Sequence, residues 1–383
     1  MSLISLAVWL SVSAACAQQD SPVARPYAAI NREAINYAGP GRETASDLAG
    51  AEIKIGILAP LQGPRQREGA ALLAAAQMAV EDESATPLPN GRRLALVARD
   101  ETGLWGRASS EIVRLVFDDR AVALITLTDG AAAHLAEQVG NRVGVPVITL
   151  SSDSTTTEIN IPWLFRIVPN DAVQARAFAE AIYGRQSFQK VLLVTERDHD
   201  GRVGGEEFEK AARALQAPPP ARLEVALPLA DVSPLWKEIQ AQSPEAIVLW
   251  TSAAAAAALL EGIQTSNAAI YVCGKALQEP FISVVRGQQN IWVAGSRVES
   301  TGSKTGNFSD RYRARTGRAP SPASEEVYDA VRLVAAALRQ SGPNRARLRD
   351  SLAKVSDYRG ASGIVSFDGA GNNQAGVALV SLR

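Results

Sequence analysis

Residues 53–83 read IKIGILAPLQGPRQREGAALLAAAQMAVEDE. Ile53 to Ala59 is a short, β-branched, almost wholly apolar run, and Pro60 stops it because proline has no N–H to give a sheet ladder. From Arg67 to Glu83 the apolar residues recur at helical spacing. A continuous apolar strand followed by an amphipathic helix is the unit of a parallel sheet covered on both faces.

The same alternation recurs along the chain. Strand-like runs are read at Leu94–Ala98, Val122–Leu127, Val145–Thr149, Val191–Thr195, Leu223–Leu227, Ala246–Trp250, Ile270–Cys273 and Ile291–Ala294. Helical stretches are read at Ser109–Phe117, Ala131–Val139, Ala172–Tyr183, Glu206–Leu215 and Ala254–Gln264. This series is too long for one ordinary doubly wound sheet, and WLFRIVPN interrupts it between Ile161 and Asp171. The pattern predicts two α/β lobes of similar size. Helices follow around Asn307–Thr316, Ser324–Arg339 and Arg345–Val355, and two β runs, Gly363–Phe367 and Val377–Leu382, close the chain. In open parallel sheets ligands bind beyond the carboxyl ends of the strands, where helix N-termini present free amides. Two facing lobes therefore predict a cleft that can close on a small molecule.

Composition narrows the function. The 383 residues carry 39 Lys+Arg against 40 Asp+Glu, a net charge of −1, with 46% hydrophobic residues. That balance excludes a disordered polyelectrolyte and offers no field for a phosphate backbone, so no nucleic acid is expected. Two cysteines, Cys16 and Cys273, cannot make a disulfide framework or a structural zinc site. Two histidines, His134 and His199, make histidine-based metal or acid–base chemistry a poor expectation, and no cofactor is called for. The aromatic content of 5% argues against a sugar-stacking pocket.

The N-terminus reads as an address. Leu3 to Ala15 is uncharged and apolar, too short to span a bilayer, and Ala15-Cys16-Ala17 offers a small-residue cleavage site. Residues 1–17 are thus read as a secretory signal, with a lipidated Cys16 as the lesser reading. Residues 18–50 are read as a loosely ordered leader, with Tyr27, Ile30 and Tyr37 as apolar handles. Export leaves Cys273 alone in the mature chain, read as a buried small hydrophobe.

Taken in order, these segments resemble the extracytoplasmic solute-binding proteins of the leucine/isoleucine/valine type, which serve ABC importers. The opening run from Ile53 to Glu83 resembles that family's first strand, ligand loop and helix. Arg92 to Gly103 is similar to its second strand and acidic turn. Gly144 to Glu158 with Leu164 to Ile182 is similar to its lobe crossover, with an aromatic-Arg-x-x-Pro signature. SPEAIVLW, Val327-Tyr328-Asp329-Ala330 and GIVSFDGAGN follow in family order. The resemblance implies a type I periplasmic-binding fold with three interlobe crossovers, no catalysis, and a small polar ligand (amino acid, amide or small carboxylate) clamped by hinge closure. It further implies a periplasmic monomer that partners a membrane permease and its ATPase. Lobe boundaries of 51–168 plus 297–374, and 169–296 plus 375–383, are expected.

Carried over residue by residue, the resemblance places the ligand carboxylate at Thr128, Asp129, Gly130 and Ala131 and at Ser151 and Ser152. Asp129 is read as the N-cap of the helix that follows, since its charge would repel a carboxylate. The second lobe offers Asp200, Ser252 and Lys275. Lys275 stands where the family has an acid, which argues against a plain branched-chain amino acid. It pairs with Asp200 or Asp129, meets an acidic group on the ligand, or is a solvated loop lysine. His199 is read as a rim residue, and Trp105 as a packing residue or a lip over the cleft.

Other classes fit less well. A dinucleotide enzyme needs G-x-G-x-x-G after the first strand, where this chain has APLQGPRQREG. A repressor needs a helix-turn-helix and basic charge. A periplasmic ligand sensor or envelope accessory protein on the same fold is the alternative to transport.

Overall fold

The computed structural model describes residues 48–102, 105–158, 161–229, 231–263, 267–285, 288, 290–296 and 308–381. The signal, nearly all of the leader, Cys16 and the side chain of Trp105 lie outside the described residues.

The first lobe opens with β1 (Glu52–Ala59), α1 (Gln66–Glu83), β2 (Arg93–Asp100), α2 (Trp105–Phe117) and β3 (Ala123–Thr126). It continues with α3 (Gly130–Val143), β4 (Val147–Thr149), α4 (Thr155–Glu158) and β5 (Leu164–Arg166). The five strands form one parallel sheet in the order β2-β1-β3-β4-β5. The second lobe comprises α5 (Asp171–Ala179), β6 (Val191–Glu196), α6 (His199–Ala214), β7 (Ala221–Val225) and α7 (Ser233–Gln242). It goes on through β8 (Ala246–Trp250), α8 (Ala253–Ile263), β9 (Ala269–Val272), α9 (Phe281–Val285) and β10 (Ile291–Ser296).

The chain then returns to the first lobe with α10 (Phe308–Thr316), α11 (Pro322–Ser341), α12 (Arg345–Leu352) and the hairpin of β11 (Tyr358–Arg359) and β12 (Ile364–Val365). It crosses once more to lay β13 (Val377–Ser381) against β10. The second sheet runs β13-β10-β9-β8-β6-β7. Two doubly wound lobes result, as the alternation predicts, and three crossovers join them, as the resemblance implies.

Sequence dictates these elements in simple ways. All five residues of β8 are buried, as a central strand covered on both faces requires, while β7 at the edge exposes Ala221, Arg222 and Glu224. Helix α1 turns Leu72, Ala75, Ala76 and Ala79 inward, and it lies between the first sheet and α11. Leu72 and Leu338 are fully buried, each contributing roughly 1.5–3 kcal/mol by leaving water. Helix α11 starts at a capping box between Ser321 and Ser324 with Pro322 in its first turn. Three apolar clusters form among the described residues, two in the first lobe and one in the second, and that of the second lobe includes Cys273, whose thiol burial pushes up to about 12.

Four details differ from the sequence reading. Leu164–Arg166 does not interrupt the first sheet; it pairs with β4 as the edge strand, so the break comes after it. The second sheet is not wholly parallel, because β13 runs antiparallel to β10. Helix α6 begins at His199 rather than Glu206, capped by Asp198. Helix α7 escaped notice because it is short and packs only Leu235, Trp236 and Ile239 against the core.

Candidate functional site

The carboxyl ends of β1, β3 and β4 in the first lobe face those of β6, β8 and β9 in the second. Asp129 follows β3 in extended conformation, and its carboxylate accepts from Ala132 N at 2.9 Å. That cap starts α3 at Gly130 and aims the first free amides of a fourteen-residue helix at the gap. On the other side, Asp198 caps α6 through Gly201 N, which places His199 and Asp200 in its first turn.

Gly130 N donates across the gap to Asp200 Oδ1 at 3.1 Å and to Oδ2 at 3.4 Å. The approach is tight: a Cβ on Gly130 would stand 2.2 Å from Asp200 Oδ1 and 3.0 Å from Asp153 Oδ2, so the Asp200 carboxylate would have to shift. Asp200 Oδ2 in turn accepts from Lys275 Nζ, and Asp198 Oδ2 lies 3.6 Å from the same ammonium. Burial opposes the charge on Lys275, but Asp200, Asp198 and Asp129 overcome it and raise its pKa. With a side chain only 13% exposed, Lys275 is no solvated loop lysine.

A second network lies beside this one. Arg65, in the loop after β1, reaches Glu68 at 2.9 Å, Asp129 at 3.1 Å and Glu101 at 3.4 Å. Thr128 accepts from Arg65 at 3.0 Å and donates to Glu68 at 2.8 Å. Gln278 of the second lobe donates to the same Glu68 oxygen at 3.3 Å. Burial pushes the Glu101 carboxyl up to about 8, against the opposing pull of Arg65.

The third network joins both histidines. His199 Nε2 of the second lobe stands 2.7 Å from Asp153 Oδ2, and His134 Nε2 of α3 stands 3.0 Å from the same oxygen. The Asp153 side chain is fully buried. The Asp153 and Glu137 carboxylates beside it push His134 up to about 9, and the bond to Asp153 raises His199 as well.

The remaining expected residues sit as follows. Ala131 is half-buried at the start of α3. Ser151 is buried, with its hydroxyl accepting from Asp153 N at 3.2 Å. Ser152 O accepts from Asp171 N at 2.8 Å. Ser252 N donates to Glu196 at 2.8 Å, while its hydroxyl meets Ala255 N at 3.4 Å at the start of α8. The structure thus brings Asp129, Gly130, Asp200 and Lys275 together, while Ser151, Ser152 and Ser252 serve the loops around them.

Reading by sequence passed over Arg65, Asp153, Asp198 and Gln278, which lie in loops with no motif spacing, and Glu68 in the first turn of α1. It also set the histidines aside, because their meeting depends on the packing of two lobes 65 residues apart in the chain. Beneath the site, fully buried Arg166 donates to Ser151 O at 2.9 Å, Thr157 Oγ1 at 3.0 Å and Asn372 Oδ1 at 2.7 Å. It also reaches Asp153 O and Thr156 Oγ1, so it holds the whole loop from Ser151 to Thr157. A cavity of about 340 Å³ exists at the far end of the first sheet, lined by Ala51, Glu52, Lys54 and Arg120, away from all of these groups.

A family model described as periplasmic binding protein matches residues 52–382. Among solved structures, the leucine binding protein LivK of Thermotoga maritima superposes with a TM-score of 0.74 at 18% identity. That alignment covers 86% of this chain and 97% of the other. The branched-chain amino acid transporter substrate binding protein LivJ of Streptococcus pneumoniae, in complex with isoleucine, gives 0.73 at 22% identity, covering 86% and 99%. An ABC transporter solute binding protein of R. palustris, in complex with benzoate, gives 0.77 at 18%, covering 87% and 93%. At these identities the likeness is one of fold. An amino acid binding protein of Pseudomonas aeruginosa is 27% identical over 165 residues, a match spanning 43% of each chain.

Proposed function

The chain belongs to the periplasmic binding protein family, and from that premise we propose that it is the extracytoplasmic solute-binding component of an ABC importer, taking a small zwitterionic amino acid into its interlobe cleft. It is a solute-binding protein and not an enzyme. No helix among the described residues is long and apolar enough to cross a membrane. The apolar run at Leu3–Ala15 supports export, and a separate permease and ATPase would complete the importer.

One observation carries the ligand class: the contact of Gly130 N with Asp200 across the cleft. The N-terminus of α3 is a natural anion site, and in this closed arrangement a carboxylate of the second lobe fills it. A solute carboxylate competes for that amide, and its ammonium then satisfies the displaced Asp200. The exchange adds no net charge. That matters because the ions around the gap already lean negative: Glu68, Asp129, Asp198 and Asp200 face Arg65 and Lys275. A plain anion would worsen the imbalance, and a plain cation would leave the α3 amide with its present partner.

Closure follows from differential affinity. Solute bound to first-lobe amides is worth more when Asp200 and Lys275 close over it, so it shifts the population toward the closed form. Calorimetry with an amino-acid panel, the matching amides and the matching deaminated acids tests the reading. An amino acid should bind at least about tenfold more tightly than either analogue, a difference of about 1.4 kcal/mol. Equal or tighter binding of the deaminated acid, as for an aromatic carboxylate, would refute the zwitterion.

A further inference from the structure

We propose that His134, Asp153 and His199 form a divalent-cation site that bridges the two lobes. These are the chain's two histidines, and both present Nε2 to one oxygen of one buried aspartate. His134 comes from α3, Asp153 from the loop between β4 and α4, and His199 from the first turn of α6 in the opposite lobe. All three donor atoms lie within 4.8 Å of one another.

The geometry suits an ion with little rearrangement. Bonds of about 2.0–2.2 Å to a tetrahedral metal hold the donors about 3.3–3.5 Å apart. The present separations from Asp153 Oδ2 are 2.7 and 3.0 Å, so each imidazole needs to withdraw by about half an ångström. The outer partners are in place as well. Asp153 Oδ1 accepts from Thr155 N at 2.9 Å and from Thr155 Oγ1 at 2.7 Å, which fixes the carboxylate. The carboxylate of Glu137, itself buried, lies 3.8 Å from His134 Nδ1, and His134 Nε2, now 2.9 Å from Thr155 Oγ1, exchanges that contact for the ion. Arg202 lies 3.2 Å from His199 Nδ1 but is exposed, free to swing away when that nitrogen carries the proton.

Two imidazoles and one carboxylate select borderline ions such as Zn²⁺, Ni²⁺ or Co²⁺ over Mg²⁺ or Ca²⁺. Three protein donors leave a fourth position for water. Because the donors come from both lobes, the ion binds the closed form better and stabilises it. Asp153 also borders the space around Gly130, so cation and solute occupancy are coupled, and reciprocally so.

The test uses the full-length, untagged protein after treatment with a chelator, without any solute, so it is independent of the ligand reading. Calorimetric titration with Zn²⁺ should give a single site per chain, and Co²⁺ should give the visible absorption of a low-coordinate nitrogen–oxygen complex. Small-angle scattering should show a more compact particle with Zn²⁺ and no change with Mg²⁺. His134→Ala and His199→Ala should each weaken Zn²⁺ binding by more than the roughly 10–100-fold that loss of an outer partner costs. His199→Ala should in addition abolish the compaction. Failure of the wild-type protein to bind Zn²⁺ stoichiometrically would overturn the proposal, as would unchanged affinity in both variants.

Discussion

Asp200 of the second lobe accepts a hydrogen bond at 3.1 Å from the backbone N–H of Gly130, the first residue of α3 in the first lobe. This contact closes the cleft with a protein carboxylate seated at a helix N-terminus. Its tightness gives a direct handle: a methyl group at position 130 collides with Asp200. Gly130→Ala should therefore hold the lobes apart and weaken solute binding by at least about tenfold. Small-angle scattering and calorimetry would measure both, and an unchanged particle with unchanged affinity would refute the role of this contact.

Lys275 is mostly buried and has acids as its neighbours. Lys275→Met strands those charges and should destabilise the protein by about 3–5 kcal/mol, the usual cost of breaking a buried pair from one side. Adding Asp200→Asn should recover part of that loss. Urea unfolding of the single and double variants supplies the cycle; strictly additive losses would mean that the two residues are not coupled.

Glu101 predicts a pH dependence. Its side chain is 3% exposed, neither oxygen accepts a hydrogen bond, and burial pushes its carboxyl from 4.5 up to about 8. Between those values the folded protein keeps a proton that the unfolded chain has released, so stability falls as pH rises through that window. Glu101→Gln should raise the melting temperature at about pH 9 and change it little at about pH 5. An equal shift at both pH values would show that Glu101 is not protonated in the fold.

Arg166 gives the aromatic-Arg-x-x-Pro signature a physical reason. Five acceptors in and around the Ser151–Thr157 loop converge on its guanidinium. Arg166→Met leaves them unpaired in the interior and should cost about 3–5 kcal/mol. Arg166→Lys should rescue only a fraction, because an ammonium cannot present the planar fork. Full rescue by lysine in chemical denaturation would contradict this reading of the signature.

These residues also show what could be read before folding. Ile53–Ala59 and Ala246–Trp250 announced buried parallel strands because both of their faces are covered, and a continuous apolar run records that directly. Asp129 could be recognised as a helix cap, since an N-cap is a local feature. Leu164–Arg166 and Ser233–Gln242 were missed because both are short: three residues are too few for periodicity, and the helix carries only Leu235, Trp236 and Ile239 on its packed face. The cleft was less legible still. Gly130 meets Asp200, and His134 meets His199, through the docking of two lobes, a relation that no spacing along the chain encodes. Cys273 was the simple case, a lone apolar-flanked thiol that belongs in the core.

The most direct measurement is a crystal structure of the protein with its tightest amino-acid ligand. The expected result places the ligand carboxylate on Gly130 N, with Asp200 moved off that amide and onto the ligand ammonium. A ligand seated elsewhere, with Asp200 still bonded to Gly130, would contradict it.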